Sequence, residues 1–383
     1  VCGACEKEKI MQRIFHTPEG VRDIYNGECS QKHRILEDIR KVFFSYGYGE
    51  IETPTFEYFE VFSREVGTVP SKDLYKFFDR EGNTLVLRPD FTPSVSRACA
   101  SYFSPDKEVV TLSYTGQAFV NSSSYQGRLK ETTQMGVERI GDSSPDEDAE
   151  LIAMTVECLL AAGLKEFQVS VGQVNYFKSL LKEAGMDEEA EEQLRSLISQ
   201  KNYFGVEELM EERKMDPGLS RAFQALPQLF GSYEVLEKAR SLTDNPEALK
   251  AVERLEEIYE ILKLYGYEKY ISFDFGMVSK IQYYTGVIFQ AYTYGTGEPL
   301  VKGGRYDELL KHFGKPAASI GFVIVLDSLL AALSRQKIEL PEEESPVILT
   351  YTRADRRETV LKAQKMRKEG KPVALRQKKE ELL

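Results

Sequence analysis

The chain has 383 residues, of which 42% are hydrophobic, so it can bury a large core and we expect at least two folded units. Its formal charge of −11 argues against a broad nucleic-acid-binding face, because such a face needs clustered Lys and Arg. The sequence shows no run of about eighteen apolar residues and no charged-then-apolar leader, so neither a membrane span nor a secretory signal is predicted and a cytoplasmic location is expected.

Five cysteines are too few for a disulfide framework in a chain of this length. Cys29, Cys99 and Cys158 lie among apolar or helical neighbours and are predicted to be small core residues. Cys2 and Cys5 form a C-G-A-C that suits half a zinc site or a redox pair, but no second pair follows, so a mobile terminus is favoured. We expect no metal and no cofactor.

The N-terminal part is predicted to form a tail over residues 1–14, then a helix and a series of short strands. Ser30 is a candidate cap for a helix that continues through Ile35 and Phe43. Turn-forming residues separate the strands that follow, which favours an antiparallel sheet over β-α-β crossovers. The predicted strands are Ile51–Pro54, Tyr75–Phe78, Thr84–Leu87, Val109–Tyr114 and Gly116–Val120.

A helix over Asp146–Ala162 is predicted to cover this sheet, because its apolar residues recur at three-to-four spacing and its first turn is acidic. After a strand at Phe167–Val171, residues from about 176 to 265 have the pattern of an inserted, acidic helical lobe. Strands resume afterwards, and the core ends with a strand-to-helix transition. These elements are predicted at Tyr270–Phe275, Thr285–Tyr294 and Ile320–Leu333.

Two prolines and a run of glutamates mark a linker at residues 341–346, which would end a core of residues 15–340. Residues 347–383 then predict a short β-α-β unit. Its elements are Val347–Tyr351, Glu358–Lys368 and Pro372–Leu375. From Ser345 to Leu383, 11 basic and 5 acidic residues give a charge of +6. This excess could be a small tRNA-facing remnant, although a solvated helix face is favoured.

Two segments of the sheet carry polar residues in a pattern typical of a binding site. Residues 87–92 read L-R-P-D-F-T, where Asp90 could hold an α-ammonium group and Thr92 could add a further acceptor. Gln134 and Glu138 are four apart in a predicted strand, so they would lie on one face. A salt bridge between Arg88 and Asp90, and a pair of partly exposed strand residues at 134 and 138, remain the structural alternatives.

Two further segments carry tyrosines. Residues 278–286 read V-S-K-I-Q-Y-Y-T-G and residues 303–307 read G-G-R-Y-D, with Gly303 and Gly304 permitting close backbone approach. A buried tyrosine pair is more often core than ligand site, since an apolar ring with a polar tip fits both roles. Together with the polar residues of the two segments described above, the tyrosines favour a ligand site over a packed core. The candidate binding residues are Asp90, Thr92, Gln134, Glu138, Tyr284 and Tyr306.

Taken in order, these motifs resemble those of class II histidyl-tRNA synthetases, from about Phe15 to Leu333 without much of the helical lobe. The resemblance implies an α+β fold: a class II aminoacyl-tRNA synthetase-like antiparallel sheet flanked by helices, with an inserted helical lobe and a short C-terminal α/β unit. It also implies that the six candidate residues bind histidine. Cores of this class dimerise through the helix and strand near Ile35 to Pro54, so a homodimer is the expected minimum.

Three arginines of the family's pattern are missing. Ser279 stands where V-R-G-L-D-Y-Y-T-G has the arginine that supports activation of the histidine carboxylate. Val120 and Ser328 stand where the family has arginines that bind the α-phosphate of ATP and clamp ATP. Without these cations, a triphosphate has little to offset its charge and desolvation cost, so adenylate formation is expected to be lost.

Retained amino-acid ligands, lost ATP arginines and a short C-terminal unit together resemble the regulatory subunits of ATP phosphoribosyltransferase, in which L-R-P-D-F-T is common. The resemblance implies a non-catalytic subunit that activates a short catalytic subunit in the first step of histidine biosynthesis and contributes to feedback by histidine. Binding of tRNA is not expected. Two alternatives remain: an active histidyl-tRNA synthetase, in which Arg88, Arg128 or Arg305 replaces the missing contacts, and a pseudo-synthetase amino-acid sensor.

Overall fold

The structure, a computed structural model, divides the chain into two compact units. The larger contains Arg34–Glu339 together with the chain up to Asp23, and the smaller contains Ile24–His33 and the chain from Leu340 onward. Cys2, Cys5 and most of the predicted linker lie outside the described residues. The described residues are 15–62, 69–122, 129–278, 284–340 and 345–378.

The strands and helices of the described part are numbered here in chain order. The strands are β1 (Gly49–Glu50), β2 (Phe56–Tyr58), β3 (Lys76–Phe78), β4 (Thr84–Leu87), β5 (Val110–Phe119), β6 (Glu131–Ile140), β7 (Gln168–Gln173), β8 (Phe230–Gly231), β9 (Ile271–Asp274), β10 (Val287–Tyr292), β11 (Val301–Arg305), β12 (Ser319–Val325), β13 (Val347–Tyr351) and β14 (Val373–Gln377). The α-helices are α1 (Asn26–Ser45), α2 (Thr92–Tyr102), α3 (Pro145–Ala161), α4 (Val174–Ala184), α5 (Glu188–Ser199), α6 (Tyr203–Glu212), α7 (Pro217–Ala225), α8 (Glu234–Ser241), α9 (Pro246–Tyr265), α10 (Leu326–Arg335) and α11 (Arg356–Lys368).

A nine-stranded sheet forms the centre of the larger unit, in the order β1-β5-β6-β12-β11-β10-β7-β9-β8. Its neighbours are antiparallel except for the pairs β1–β5 and β7–β9. A separate antiparallel sheet has the order β2-β4-β3. In the smaller unit, β13 and β14 pair in parallel on either side of α11 in the chain, which is a β-α-β unit. The predicted α+β class with a mainly antiparallel sheet is confirmed.

Helices cover and extend the large sheet. The helix predicted over residues 146–162 is α3, in which the apolar residues from Ala149 to Leu159 are buried. Fully burying one aliphatic side chain contributes about 1.5 to 3 kcal/mol. Helices α4 to α9 form the helical lobe between β7 and β9. Gly185 ends α4 with φ of 59°, and Asn245 caps α9 by accepting the N–H groups of residues 247 and 248.

Three local predictions are wrong. Residues 51–54 are not a strand, because β1 ends at Glu50 and the carbonyl groups of Thr53 and Pro54 accept hydrogen bonds from Arg88 instead. The two strands predicted on either side of residue 115 are one strand, β5. Gly116 lies within this strand and does not end it. Its lack of a side chain makes room for Arg88, since a Cβ there would lie 2.6 Å from the guanidinium. Helix α1 begins at Asn26 rather than beyond Ser30.

The described cysteines are free thiols. Cys99 and Cys158 are buried, as predicted, whereas Cys29 is only partly buried. Burial raises the pKa of the Cys99 thiol to about 11, so this group stays protonated and packs as an apolar side chain. None of the helices in the described ranges combines the length and apolar composition that crossing a bilayer requires.

Candidate functional site

The floor of the site is built from glycines on two adjacent strands, β12 and β11, next to Glu138 on β6. In the pairing of β6, β12 and β11, Gly321 lies opposite both Glu138 and Gly304. A Cβ at Gly321 would overlap the Glu138 carboxyl, and one at Gly304 would lie 2.7 Å from the Tyr284 ring. Glycine at these positions therefore leaves room for the two polar side chains and for the cavity of about 200 Å³ above them.

The structure brings the six predicted residues together at this cavity. Asp90, Thr92, Gln134, Tyr284 and Tyr306 line it. Glu138, the sixth, is 1% exposed and lies beneath them, hydrogen-bonded to two of the lining residues. Residues from β6, β11, the start of α2 and the turn before β10 thus converge, although they are up to 216 positions apart in the chain.

Glu138 is the buried centre of this group. The Thr92 hydroxyl donates to its Oε1 at 2.7 Å, and the Tyr306 hydroxyl donates to its Oε2. Burial raises the pKa of Glu138 to about 8, assisted by the charge of Asp90 and opposed by the hydroxyl hydrogen bonds. At neutral pH this carboxyl is therefore largely protonated, and a cationic group beside it would favour its ionised form.

Asp90 and Thr92 are positioned by the start of α2. The Asp90 Oδ1 accepts the backbone N–H of Thr92 at 2.7 Å, in the first turn of the helix. A carboxylate at a helix N-terminus is stabilised by the helix dipole and by the free N–H groups. Asp90 is thus held at the cavity wall, where its side chain is suited to an ammonium group, and Thr92 turns its hydroxyl to Glu138.

Arg88 and Arg305, the arginines proposed to replace the missing cations, are used elsewhere. Arg88 donates to the carbonyl oxygens of Thr53 and Gln117, both at 2.8 Å, and its guanidinium lies 4.0 Å from the centre of the Phe91 ring. Arg305 is buried and pairs with Asp148 at 2.6 Å. Neither arginine lines the cavity. Arg128 lies outside the described residues.

Of the three positions that lack the family's arginines, the structure describes two, Val120 and Ser328, and both side chains are uncharged. Val120 follows β5, and its N–H donates to the carbonyl of Lys130 at 2.9 Å. Ser328 is in the first turn of α10, beside Asp327, whose carboxylate accepts the N–H of Thr133 at 2.6 Å. Ser279 lies outside the described residues.

Sequence reasoning missed two polar residues that line the cavity, Tyr114 and Lys302. Tyr114 is buried, stacks on Phe91 with ring centres 4.5 Å apart, and lies opposite Gly136. Burial, with the charges of Glu138 and Asp90 adding to it, raises the pKa of Tyr114 well above its usual range. Alternation along β5 would have revealed Tyr114, but the predicted break within this strand hid it.

The second missed residue is Lys302. It lies two positions before Gly304 on β11, so strand alternation places both on the same face of the sheet. The G-G-R-Y-D motif begins at Gly303, so Lys302 lies just upstream of it and is found only when the strand alternation is extended in that direction. That extension is the signal that would have found Lys302.

The sequence profile of the family described as histidyl-tRNA synthetase matches residues 20–329. Curated relatives named ATP phosphoribosyltransferase regulatory subunit include one from Acetivibrio thermocellus, 40% identical over 94% of this chain and 86% of its own length. Another, from Thermoanaerobacter pseudethanolicus, is 37% identical over 94% of both chains.

Solved structures similar to this chain have the same family descriptions. One from Bacillus halodurans, described as an ATP phosphoribosyltransferase regulatory subunit/histidyl-tRNA synthetase, is 33% identical with a TM-score of 0.85, covering 95% of this chain and 93% of its own. A histidyl-tRNA synthetase from Nostoc, 22% identical, shares the fold with a TM-score of 0.79 over 96% of this chain and 87% of its own. The predicted synthetase-like fold is therefore confirmed, and the chain belongs to the family of ATP phosphoribosyltransferase regulatory subunits.

Proposed function

We propose that this chain binds a short ATP phosphoribosyltransferase catalytic subunit, activates it in the first step of histidine biosynthesis, and contributes to its inhibition by histidine. The names of the relatives support the regulatory role. The cavity over β6, β12 and β11 is the site that we propose for histidine. A cytoplasmic location belongs to the same proposal, since the partner's reaction is biosynthetic.

One contrast carries the proposal for the site. Five polar residues suited to an amino acid line one cavity, and the buried Glu138 lies beneath them. The positions that the family resemblance assigns to ATP hold Val120 and Ser328, and the nearby Arg88 and Arg305 are bonded elsewhere. This arrangement suits binding of an amino acid without its activation.

Histidine fits the charges of the cavity. In this proposal, Asp90 at the cavity wall accepts hydrogen bonds from the α-ammonium group, and Glu138 with Tyr306 binds a ring N–H of the imidazole. An imidazolium at this position would lower the pKa of Glu138 from about 8 and share its proton. We therefore propose that Glu138 sets the preference for an imidazole side chain.

Regulation then follows from differential binding. A subunit without catalytic groups can change its partner's rate only by stabilising one conformation of the assembly. Histidine that inhibits must bind the less active conformation more tightly, and by linkage substrates and histidine must weaken each other's binding. Buried contacts that join β6 to α2 and β11, such as those of Glu138, are suited to transmit occupancy to the sheet.

The experiment measures phosphoribosyl-ATP formation by the catalytic chain alone, with this chain, and with this chain plus histidine. We expect activation in the second case and inhibition in the third. The matched variant is Glu138→Gln, which should still activate but should respond less to histidine. Equal rates with and without this chain, despite a complex by size-exclusion chromatography, would contradict the activating role and favour a sensor for another partner.

Self-association and chain organisation are proposed with the function. We propose a homodimer formed through the segment from Ile35 to Pro54, where Phe44 is 80% exposed on α1. Apolar side chains on the neighbouring small sheet are also exposed, and such patches are typical of protein interfaces.

For the domains, we propose a core of residues 15–340, a linker at 341–346 and a separate C-terminal unit at 347–383.

A further inference from the structure

Lys302 stands between two cavities on one face of the sheet. It lines the cavity above Glu138 and also a neighbouring cavity of about 320 Å³ over β10 and β11. Its partners across the strands are Gln290 on β10 and Val323 on β12, both of them neutral. A lysine on an open sheet face is commonly balanced by a cross-strand acid, but these neighbours provide none.

The charge of Lys302 is unbalanced within the site. Of the described residues that line the cavity above Glu138, Lys302 is the one cation, and Asp90 is the acid. Within the described ranges of the chain, Lys302 makes no hydrogen bond or ion pair. The other lysine of the neighbouring cavity, Lys201, is held by both carboxylate oxygens of Asp274, at 2.8 and 2.9 Å.

These charges match an amino-acid zwitterion. An ammonium group held by Asp90 leaves the α-carboxylate of the same ligand in need of a cation. Val120 and Ser328 cannot provide one, and Arg88 and Arg305 are bonded elsewhere. A lysine side chain carries a compact charge on a flexible four-carbon stem, which allows it to reach a carboxylate over a glycine-lined floor.

We propose that Lys302 binds the α-carboxylate of the amino acid in the cavity and thereby restricts the site to ligands that keep this group free. The inference rests on the proposed function, because it assumes that histidine occupies the cavity. In this role Lys302 is a specificity residue, because its ammonium group pairs with the carboxylate as a point charge.

The test compares two ligands by calorimetry on the full chain: histidine, and histidinol, which has an alcohol in place of the carboxylate. Replacing Lys302 by Met should weaken histidine binding roughly fivefold to tenfold, because the pair is partly screened by solvent. Histidinol binding should be unchanged. The control Lys165→Met removes an exposed lysine that lines neither cavity and should change neither affinity.

The outcomes separate this inference from the proposed function. Histidine binding that is unchanged in Lys302→Met, or equally weakened for histidine and histidinol, overturns the role of Lys302 and leaves the proposed occupant standing. A full chain that binds neither ligand overturns the proposed occupant and the inference with it. A loss confined to histidine, reversed in part by Lys302→Arg, supports both.

Discussion

The proposed amino-acid side of this sheet and the positions that the family resemblance assigns to ATP differ sharply in polarity. On β6, β11 and the start of α2, buried and hydrogen-bonded groups centred on Glu138 remain suited to an amino acid. At the end of β5 and the start of α10, Val120 and Ser328 provide no positive charge. This contrast supports our proposal that the chain binds an amino acid without activating it, because binding and activation would then depend on different parts of one sheet.

The largest expected effect is the pH dependence that Glu138 gives to stability. Its pKa in the folded chain is about 8, above the value of about 4.3 for an unfolded glutamate. Its stabilising contribution is therefore complete below about pH 4 and is lost as the pH rises through about 8. Relative to Glu138→Gln, the free energy of unfolding of the natural chain should fall by about 3 to 5 kcal/mol between these limits.

Urea unfolding of both chains across this pH range measures the difference. Burial also raises the pKa of Glu147, to about 7. Such carboxyl groups are present in both chains, so their contributions cancel when the two stability curves are compared. Parallel stability curves would show that the Glu138 carboxyl is not kept neutral by burial, and the two sides of the sheet would then differ less than the structure indicates.

Filling the glycine floor should remove the cavity. Gly321→Ala would place a methyl group against the Glu138 carboxyl and within 2.6 Å of the Val137 carbonyl. We expect a loss of about 1 to 3 kcal/mol in stability, measured by urea unfolding, and no measurable histidine binding. Gly297→Ala is the matched control, because a Cβ there meets nothing within 4 Å. A stable Gly321→Ala chain that binds histidine normally would place the ligand elsewhere.

Histidine affinity should depend on the polar groups of the amino-acid side. Glu138→Ala removes the buried partner of the ring and should weaken binding by about 1.5 to 3 kcal/mol, which is roughly tenfold or more. Tyr284→Phe removes one hydroxyl from the cavity wall and should weaken binding less. Calorimetry checks both variants. Unchanged histidine affinity in both variants would mean that Glu138 and Tyr284 have only a structural role.

The smallest effect is expected from a contact with the helical lobe. The Lys178 Nζ on α4 donates to the carbonyl of Tyr284 at 2.8 Å and so holds the backbone of a cavity residue. Lys178→Met should weaken histidine binding by about 1 kcal/mol. Lys182→Met, four residues later on the same helix, is the control. Equal affinities in the two variants would show that the lobe does not position Tyr284.

Much of the fold was predictable because its signals are local. Helix α3 was found to within one residue at each end, since its apolar spacing and acidic first turn need no knowledge of distant residues. The end of α4 has an equally local signal, because Gly185 adopts the left-handed conformation there. The β-α-β elements of the smaller unit also follow from local patterns.

The errors arose from distant contacts. Residues 51–54 resemble a strand, but Arg88 donates hydrogen bonds to the carbonyl groups of Thr53 and Pro54, which lie 35 and 34 positions before it in the chain. Gly116 resembles a break, but its lack of a side chain makes room for Arg88 and Phe91. The six site residues were found through family motifs, whereas the pairing of Gly321 with Glu138 and Gly304, which forms the floor, required the sheet register.

The most direct test of the central claim measures histidine binding and histidine-dependent exchange of pyrophosphate into ATP on one preparation of the full chain. The account predicts binding by calorimetry and exchange no greater than that of a blank without protein, because Val120, Ser279 and Ser328 provide no cation for ATP. Exchange above the blank that disappears when histidine is removed would contradict the account, because it would show that the activating side of the sheet is still functional.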